Sequence, residues 1–338
     1  MTTVDTRESR EIRLAARPSG EPTGANFALA STKVGPPGDG QVLVKNAMMS
    51  VEPYMRGRMN AGRSYVPPFE VGAPLSGAAI GTVVASKDAS VSEGATVMHD
   101  HGWREYAVLP AKAVRAIDTT AVPAETYLSA LGTTGFTAWV GLRAIGRVKD
   151  GETLFVSAAA GAVGSMAVQL AKRWGLRVIG SASSPAKAAF VRDTLGADAA
   201  FDYHDSVRTS LNDAAPEGID CYFDNVGGEQ LEAAIGAMRD FGRAILCGAV
   251  SQYNAASPPP GPRNLVLAVG RRLRLEGFIV LDHMQRFPEF FGEVAPLVKS
   301  GAIHAPTSFV DGLENAPGAL LDILRPNAHL GKVVVRLA

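Results

Sequence analysis

Apolar positions follow two different regimes along the chain. Between about residues 10 and 125 they come in strand-length runs, QVLVKNAMMSV at 41–51, AAIGTVVAS at 78–86, ATVMHD at 95–100 and REYAVLP at 104–110, each closed off by Gly, Pro, Asp or Ser. Runs this short and closely spaced predict strands of a barrel or sandwich, because turn residues interrupt them before a helix completes its buried stripe. From Pro123 to about Gly146 the spacing turns helical around Gly132-Thr133-Thr134-Gly135, a stretch that reads as the hinge between two domains. Beyond Gly151 the chain alternates: TLFVSA is a buried strand, VGSMAVQLAKRWG a helix ended by Gly175, LRVIGSA a strand and SPAKAAFVRDTLG a helix with Pro185 near its start. The alternation continues through AAFDY, SVRTSLNDA, IDCYFDNV, GEQLEAAIGAM, RAILCGAV, NLVLAVGRRL, RLEGFIV and RFPEFFGEVAPLVKSG. It predicts a doubly wound parallel sheet with helices on both faces. The final strand, GKVVVRLA, is expected to rejoin the first domain, giving a domain of 1–125 completed by 304–338 and a second of 126–303. SPPPGP at 257–262 reads as a surface loop.

Composition narrows the functions. A length of 338 residues exceeds what one hydrophobic core ordinarily serves. Lys plus Arg and Asp plus Glu both number 33, so no net field draws the chain to nucleic acid or to an anionic membrane. The polar start MTTVDTRESREIRLAARP reads as neither signal peptide nor anchor, and a cytoplasmic protein is expected. The two cysteines, Cys221 and Cys247, are too few for a disulfide scaffold or a cysteine-rich zinc site, and no metal is expected. His99 and His101 around Asp100 imitate a metal pair, but the bland reading, a solvated loop, is preferred.

The chemistry concentrates after TLFVSA. Ala159-Ala160-Gly161-Ala162-Val163-Gly164 then leads into a helix, a nucleotide-binding turn with Ala in the first Gly position. Gly161 lets the backbone approach a pyrophosphate, Gly164 permits close packing of helix on strand, and the helix N-terminus offers N–H groups to the phosphates. The second strand ends in RVIGSASS, without the carboxylate that holds an unphosphorylated ribose. Ser181, Ser183 and Ser184 leave room there for a 2′-phosphate, and Lys187 supplies a positive charge, so NADPH is expected over NADH.

Longer stretches carry a family resemblance. EPYMRGRM at 52–59, SALGTTGFTAW at 129–139, VSAAAGAVGSMAVQLAK at 156–172, CYFDNVGGE at 221–229, LCGAVSQYN at 246–254 and RLRLEGFIV at 272–280 resemble the zinc-independent medium-chain dehydrogenase/reductases of the leukotriene dehydrogenase, prostaglandin reductase and curcumin reductase group. The resemblance implies an α/β protein with a GroES-like β-barrel domain and a Rossmann domain. It further implies NADPH-dependent reduction of the C=C bond of small α,β-unsaturated ketones or aldehydes, and a homodimer. By the same resemblance Lys187 and Tyr203 hold the 2′-phosphate, Asn225 contacts the cofactor, and Cys247, Tyr253, Phe278 and Val280 line its nicotinamide half. One residue is inserted between Lys187 and Tyr203 relative to the family. Where the family reads Asn-x-Gly-Lys this chain has His329-Leu330-Gly331-Lys332, which makes His329 a replacement cofactor contact, with Asn327 as the alternative.

Enone reduction needs hydride at the β-carbon, a proton at the α-carbon and donors for the charge that grows on the carbonyl oxygen. Without a metal, tyrosine hydroxyls and the nicotinamide ribose 2′-OH are the expected donors. Tyr253 is the first choice, Tyr65 in NAGRSYVPP lies on a loop able to close over substrate, and Tyr54 in EPYMR borders the same cleft. Glu52 and Arg56 are read as structural. A quinone reductase, a zinc alcohol dehydrogenase or a non-catalytic NADPH-binding protein are the competing readings.

Overall fold

A computed structural model describes residues 6–325 and 329–337. The chain divides into two compact units, one of 6–128, Thr307–Arg325 and 333–337, the other of Ser129–Pro306 and 329–332. The division differs from the expected one at both ends. Residues up to Leu128 stay with the first unit, where Tyr127 Oη donates to Asp118 O at 2.7 Å. Residues 329–332 go with the second, because Gly331 N–H donates to Ala160 O at 2.8 Å.

The first unit is organised by the strand Gln41–Ser50, which pairs antiparallel with Ala79–Ser86, Tyr106–Pro110 and, through Val334, Val335 and Arg336, the C-terminal strand Lys332–Arg336, whose first residue belongs to the second unit. Thr96–His99 and Arg115–Ala116 extend the sheet on one side and Thr307–Asp311 on the other. Alternate positions of these strands, Val42 and Val44 opposite Val83, Val97 and Leu109, converge on one apolar core, as the two-residue repeat of a strand requires. This is the GroES-like half. His99 departs from the solvated-loop expectation: pairing with Ala79 carries it into the sheet, and it is only 4% exposed. Burial, then His101 and Arg104, push its imidazole down to about 3, and Nδ1 accepts the His101 N–H at 3.0 Å. The ring is therefore neutral and fixed in orientation.

The second unit holds a six-stranded parallel sheet in the order Ala199–Asp202, Arg177–Ala182, Thr153–Val156, Ile219–Asp224, Met238–Leu246, Arg274–Gly277. Numbered along the chain, that order runs 3-2-1-4-5-6, so the winding reverses between the first and fourth strands and opens a crevice at their carboxyl ends. Two elements differ from the sequence expectation. A single turn over 203–205 precedes the expected helix: the Asp202 carboxylate accepts the His204 N–H at 3.1 Å, and extended backbone at Ser206 (φ −172°) separates that turn from the helix that runs on to Ala214. The stretch 264–273 forms only a short helix, Leu267–Gly270, between the proline-rich loop and Gly270, and leaves Leu265, Val266 and Val269 exposed. Among the described residues no helix is long and apolar enough to cross a membrane.

Candidate cofactor and active site

At the crevice of the second unit, the strand Thr153–Val156 passes through Ser157–Ala160 into the helix Ala162–Arg173, with Gly161 as N-cap. Ala158 sits at φ 49°, a left-handed conformation costly for a residue with a Cβ. It turns its carbonyl back to accept the Gly161 N–H at 2.9 Å. A Cβ on Gly164 would lie 2.2 Å from Ala158 O and 2.9 Å from Ala159 Cα, so only glycine lets the helix sit this close to the turn. At Gly161 the same test gives 3.1 Å to Ala158 O, a tight but less severe contact. No side chain caps this helix, so its first N–H groups face the crevice with the positive end of the helix dipole, a cradle for a pyrophosphate. Ala160, Ala162 and Val163 frame it. The segment from His329 runs alongside, since Gly331 pairs with Gly161 and a Cβ on Gly331 would fall 1.9 Å from Pro306 O. His329 is thus two residues from the bridge to the turn, whereas Asn327 lies outside the described residues.

On one side of the turn, Ala182 and Asp202 are register partners at adjacent strand ends, so the residues that follow them, Ser183 and Tyr203, leave the sheet side by side. Ser184 caps the next helix by accepting the Lys187 N–H at 3.2 Å, which fixes Lys187 in the first turn above the same strand end. Lys187 is half-buried, and that burial lowers its ammonium pKa. Burial, then Asp202, raises the Tyr203 phenol. The Asp202 carboxylate is turned to His204, whose Nδ1 lies 2.7 Å away. A phosphate placed here would meet hydroxyls, an ammonium and a phenol.

On the other side, Asp224 ends the strand Ile219–Asp224 and is 2% exposed. Its Oδ1 accepts from Tyr222 Oη at 2.8 Å, Val226 N–H at 2.9 Å and Gly227 N–H at 2.7 Å, and its main-chain oxygen accepts from Cys247 N–H at 2.9 Å and Gly248 N–H at 3.0 Å. One residue therefore fixes both the turn carrying Asn225 and the turn carrying Cys247. Asn225 is further held by Ser157, donating N–H to its Oγ at 2.9 Å and Nδ2 to its carbonyl at 2.8 Å. Tyr253 folds back over the second turn, its Oη accepting the Ala249 N–H at 3.3 Å, so the phenol proton remains free to be donated. Burial, opposed by the Ala249 N–H and reinforced by Cys247 and Asp224, raises the Tyr253 pKa and keeps it protonated. Burial and the Asp224 carboxylate push the Cys247 thiol up to about 12. Phe278 and Val280, both half-buried, follow the edge strand Arg274–Gly277.

The other two tyrosines belong to the first unit. Tyr54 opens the short helix Tyr54–Arg58, where burial first and Glu52 second raise its phenol well above the ordinary range. Tyr65 is 55% exposed on the loop between Met59 and Phe69. That loop is closed at its base by Arg17, whose guanidinium donates to Met59 O and Asn60 O at 2.9 Å each and to Phe69 O at 2.8 Å. Arg56 is buried and donates to Asn60 Oδ1 at 2.7 Å and Gly20 O at 2.6 Å, a structural role. Sequence reasoning missed Asp224, Ser157, Tyr222 and Arg17. Only the run Asp224-Asn225-Val226-Gly227-Gly228, with its paired glycines after a strand, signalled the first of them.

A glycine-paved turn at the reversal point of a 3-2-1-4-5-6 sheet, joined in one chain to a GroES-like unit, defines a dinucleotide-dependent oxidoreductase. Residues 10–117 match the family described as N-terminal domain of oxidoreductase, and residues 162–296 the family described as zinc-binding dehydrogenase. The chain is 38% identical over 338 residues to the NADPH-dependent curcumin reductase of Escherichia coli, covering 98% of each, and 38% identical over 307 residues to the NADP-dependent 2-alkenal reductase of Nicotiana tabacum, covering 90% of this chain and 89% of that one. The crystal structure of CurA from Vibrio vulnificus in complex with NADPH superposes with a TM-score of 0.91 at 37% identity, covering 97% of this chain and 99% of that one. The chain belongs to the zinc-independent group of the medium-chain dehydrogenase/reductases. Despite the name of the second family, no three His, Cys, Asp or Glu side chains come together as a metal-binding group among the described residues.

Proposed function

We propose that this chain uses NADPH to reduce the C=C bond of small α,β-unsaturated ketones and aldehydes, with Tyr253 donating a hydrogen bond to the carbonyl oxygen. The observation that carries the reading is the placement of Tyr253, a buried phenol held protonated over the Cys247–Ala249 turn with its proton uncommitted. When bound, NADPH supplies the hydride that goes to the β-carbon. Tyr253 then stabilises the negative charge gathering on the carbonyl oxygen, and solvent returns a proton to the α-carbon. Asn225, Cys247, Phe278 and Val280 flank the nicotinamide end, and Gly161, the helix it caps and His329 hold the pyrophosphate. Ser183, Lys187 and Tyr203 take the 2′-phosphate. Tyr54 and Tyr65 stand as further donors from the first unit. The relatives named for curcumin and 2-alkenal reduction support the substrate class.

The protein is further read as a cytoplasmic homodimer. Both cysteines are free thiols, compatible with a reducing compartment, and the outer edge of Arg274–Gly277 lies near the exposed Val266 and Val269 segment in sequence.

The cofactor part is tested with Lys187→Ala. A charge-assisted contact to phosphate contributes about 1.5 to 3 kcal/mol, so the KM for NADPH rises about tenfold or more while the much weaker use of NADH stays nearly unchanged. Steady-state kinetics with both cofactors and but-3-en-2-one read the difference. Equal losses with the two cofactors contradict the phosphate role.

A further inference from the structure

The Asp224 carboxylate is more than a hub for backbone turns. It lies at the carboxyl end of the strand beside the crevice's reversal point, on the side away from Ser183, Lys187 and Tyr203. If those residues take the adenosine phosphate, the far half of a dinucleotide lies over the turns that Asp224 ties down. The groups that face Asp224 are all neutral: Tyr222 Oη, the Val226 and Gly227 N–H groups, and Ser157 Oγ at 3.5 Å. Burial raises the Asp224 pKa, and the hydrogen bonds from Gly227, Tyr222, Val226 and Ser157 oppose that rise. No Lys, Arg or His pairs with it in the hydrogen bonds or ion pairs of the described residues, so the charge of the ionised carboxylate is moderated by dipoles and not cancelled. Its field extends to Cys247 and Tyr253, both of which it acts on through charge.

We propose that Asp224 is a positioning residue whose buried charge favours the oxidised, positively charged nicotinamide over the neutral reduced ring, making the bound reduced cofactor a stronger hydride donor. The inference rests on the cofactor placement proposed above. Hydride loss converts an uncharged ring into a cation, so a fixed negative charge nearby lowers the energy of the product side of that step. The same charge adds a smaller contribution to the burial that keeps Tyr253 protonated, the form that can donate to the carbonyl oxygen.

A merely structural Asp224 would affect both redox forms alike, and this separates the two roles. Asp224→Asn keeps an Oδ1 acceptor for Val226 and Gly227 while removing the charge. Dissociation constants for NADP⁺ and NADPH are measured by titration calorimetry on the full chain, with a thermal melt to confirm folding. The expected result is that NADP⁺ binding weakens on the order of fivefold more than NADPH binding. Tyr222→Phe gives an independent arm if Asp224→Asn does not fold: it removes a donor dipole from the carboxylate. Because that donor also opposes the burial-driven rise of the Asp224 pKa, the titrations are run at alkaline pH, where the group is ionised and the preference moves the opposite way, toward NADP⁺. An unchanged ratio in the folded variants overturns the inference, as does failure of the unsubstituted chain to bind either form. A shifted ratio in a chain that turns over no enone upholds this inference and defeats the proposed reaction instead.

Discussion

Gly164→Ala abolishes NADPH binding and destabilises the second unit, while Gly161→Ala weakens binding with a much smaller loss of stability. The difference lies in what each new methyl meets. At Gly164 the nearest atoms, 2.2 to 2.9 Å away, are all backbone of Ala158 and Ala159, and Ala158 is already held at φ 49°. Nothing flexible can yield, so the helix Ala162–Arg173 must lift off the turn. Overpacking of this kind costs about 1 to 3 kcal/mol and sometimes more, and here it also displaces the N–H groups that receive the pyrophosphate. At Gly161 the contact of 3.1 Å requires a shift of only a few tenths of an ångström. Thermal melts paired with NADPH fluorescence titrations check both variants. A folded Gly164→Ala protein with unchanged affinity would show that the turn does not hold the phosphates.

Tyr253→Phe lowers kcat about 100-fold and leaves the KM for NADPH within about threefold, because removing one donor to a developing oxyanion costs about 2.7 to 4 kcal/mol of transition-state stabilisation. The lower end of the range is expected, since the nicotinamide ribose 2′-OH is a further donor in the proposed chemistry. The substitution also removes the acceptor for Ala249 N–H, but at 3.3 Å that bond is long and the turn keeps its two bonds to the Asp224 carbonyl. Single-turnover measurements separate the chemical step from product release. An unchanged rate would remove Tyr253 from the mechanism.

The features legible in the sequence were those set by local spacing. The Ala159–Gly164 turn could be read because strand, glycine pattern and helix are contiguous, and the missing carboxylate after RVIGSA because its position is fixed by counting from that turn. What stayed hidden depends on residues far apart in the chain. Gly331 meets Ala160, and Asp224 meets the N–H groups of Cys247 and Gly248, only once the sheet has formed. Arg17 binds carbonyls at both ends of the Tyr65 loop, and nothing in its own neighbourhood announces it. A His-Asp-His run is polar and reads as exposed, yet strand pairing with Ala79 buries His99 all the same. Apolar spacing over 264–273 suggests a longer element than the short helix Leu267–Gly270, because spacing alone does not register how little chain lies between the prolines and Gly270.

The central claim is that hydride reaches the olefin and not the carbonyl. NADPH carrying deuterium at its transferable C4 position, incubated with the protein and 4-phenylbut-3-en-2-one, should give the saturated ketone with one deuterium on the β-carbon, seen by mass spectrometry and NMR. Deuterium on the carbonyl carbon of an allylic alcohol, or a saturated product without label, would contradict the account.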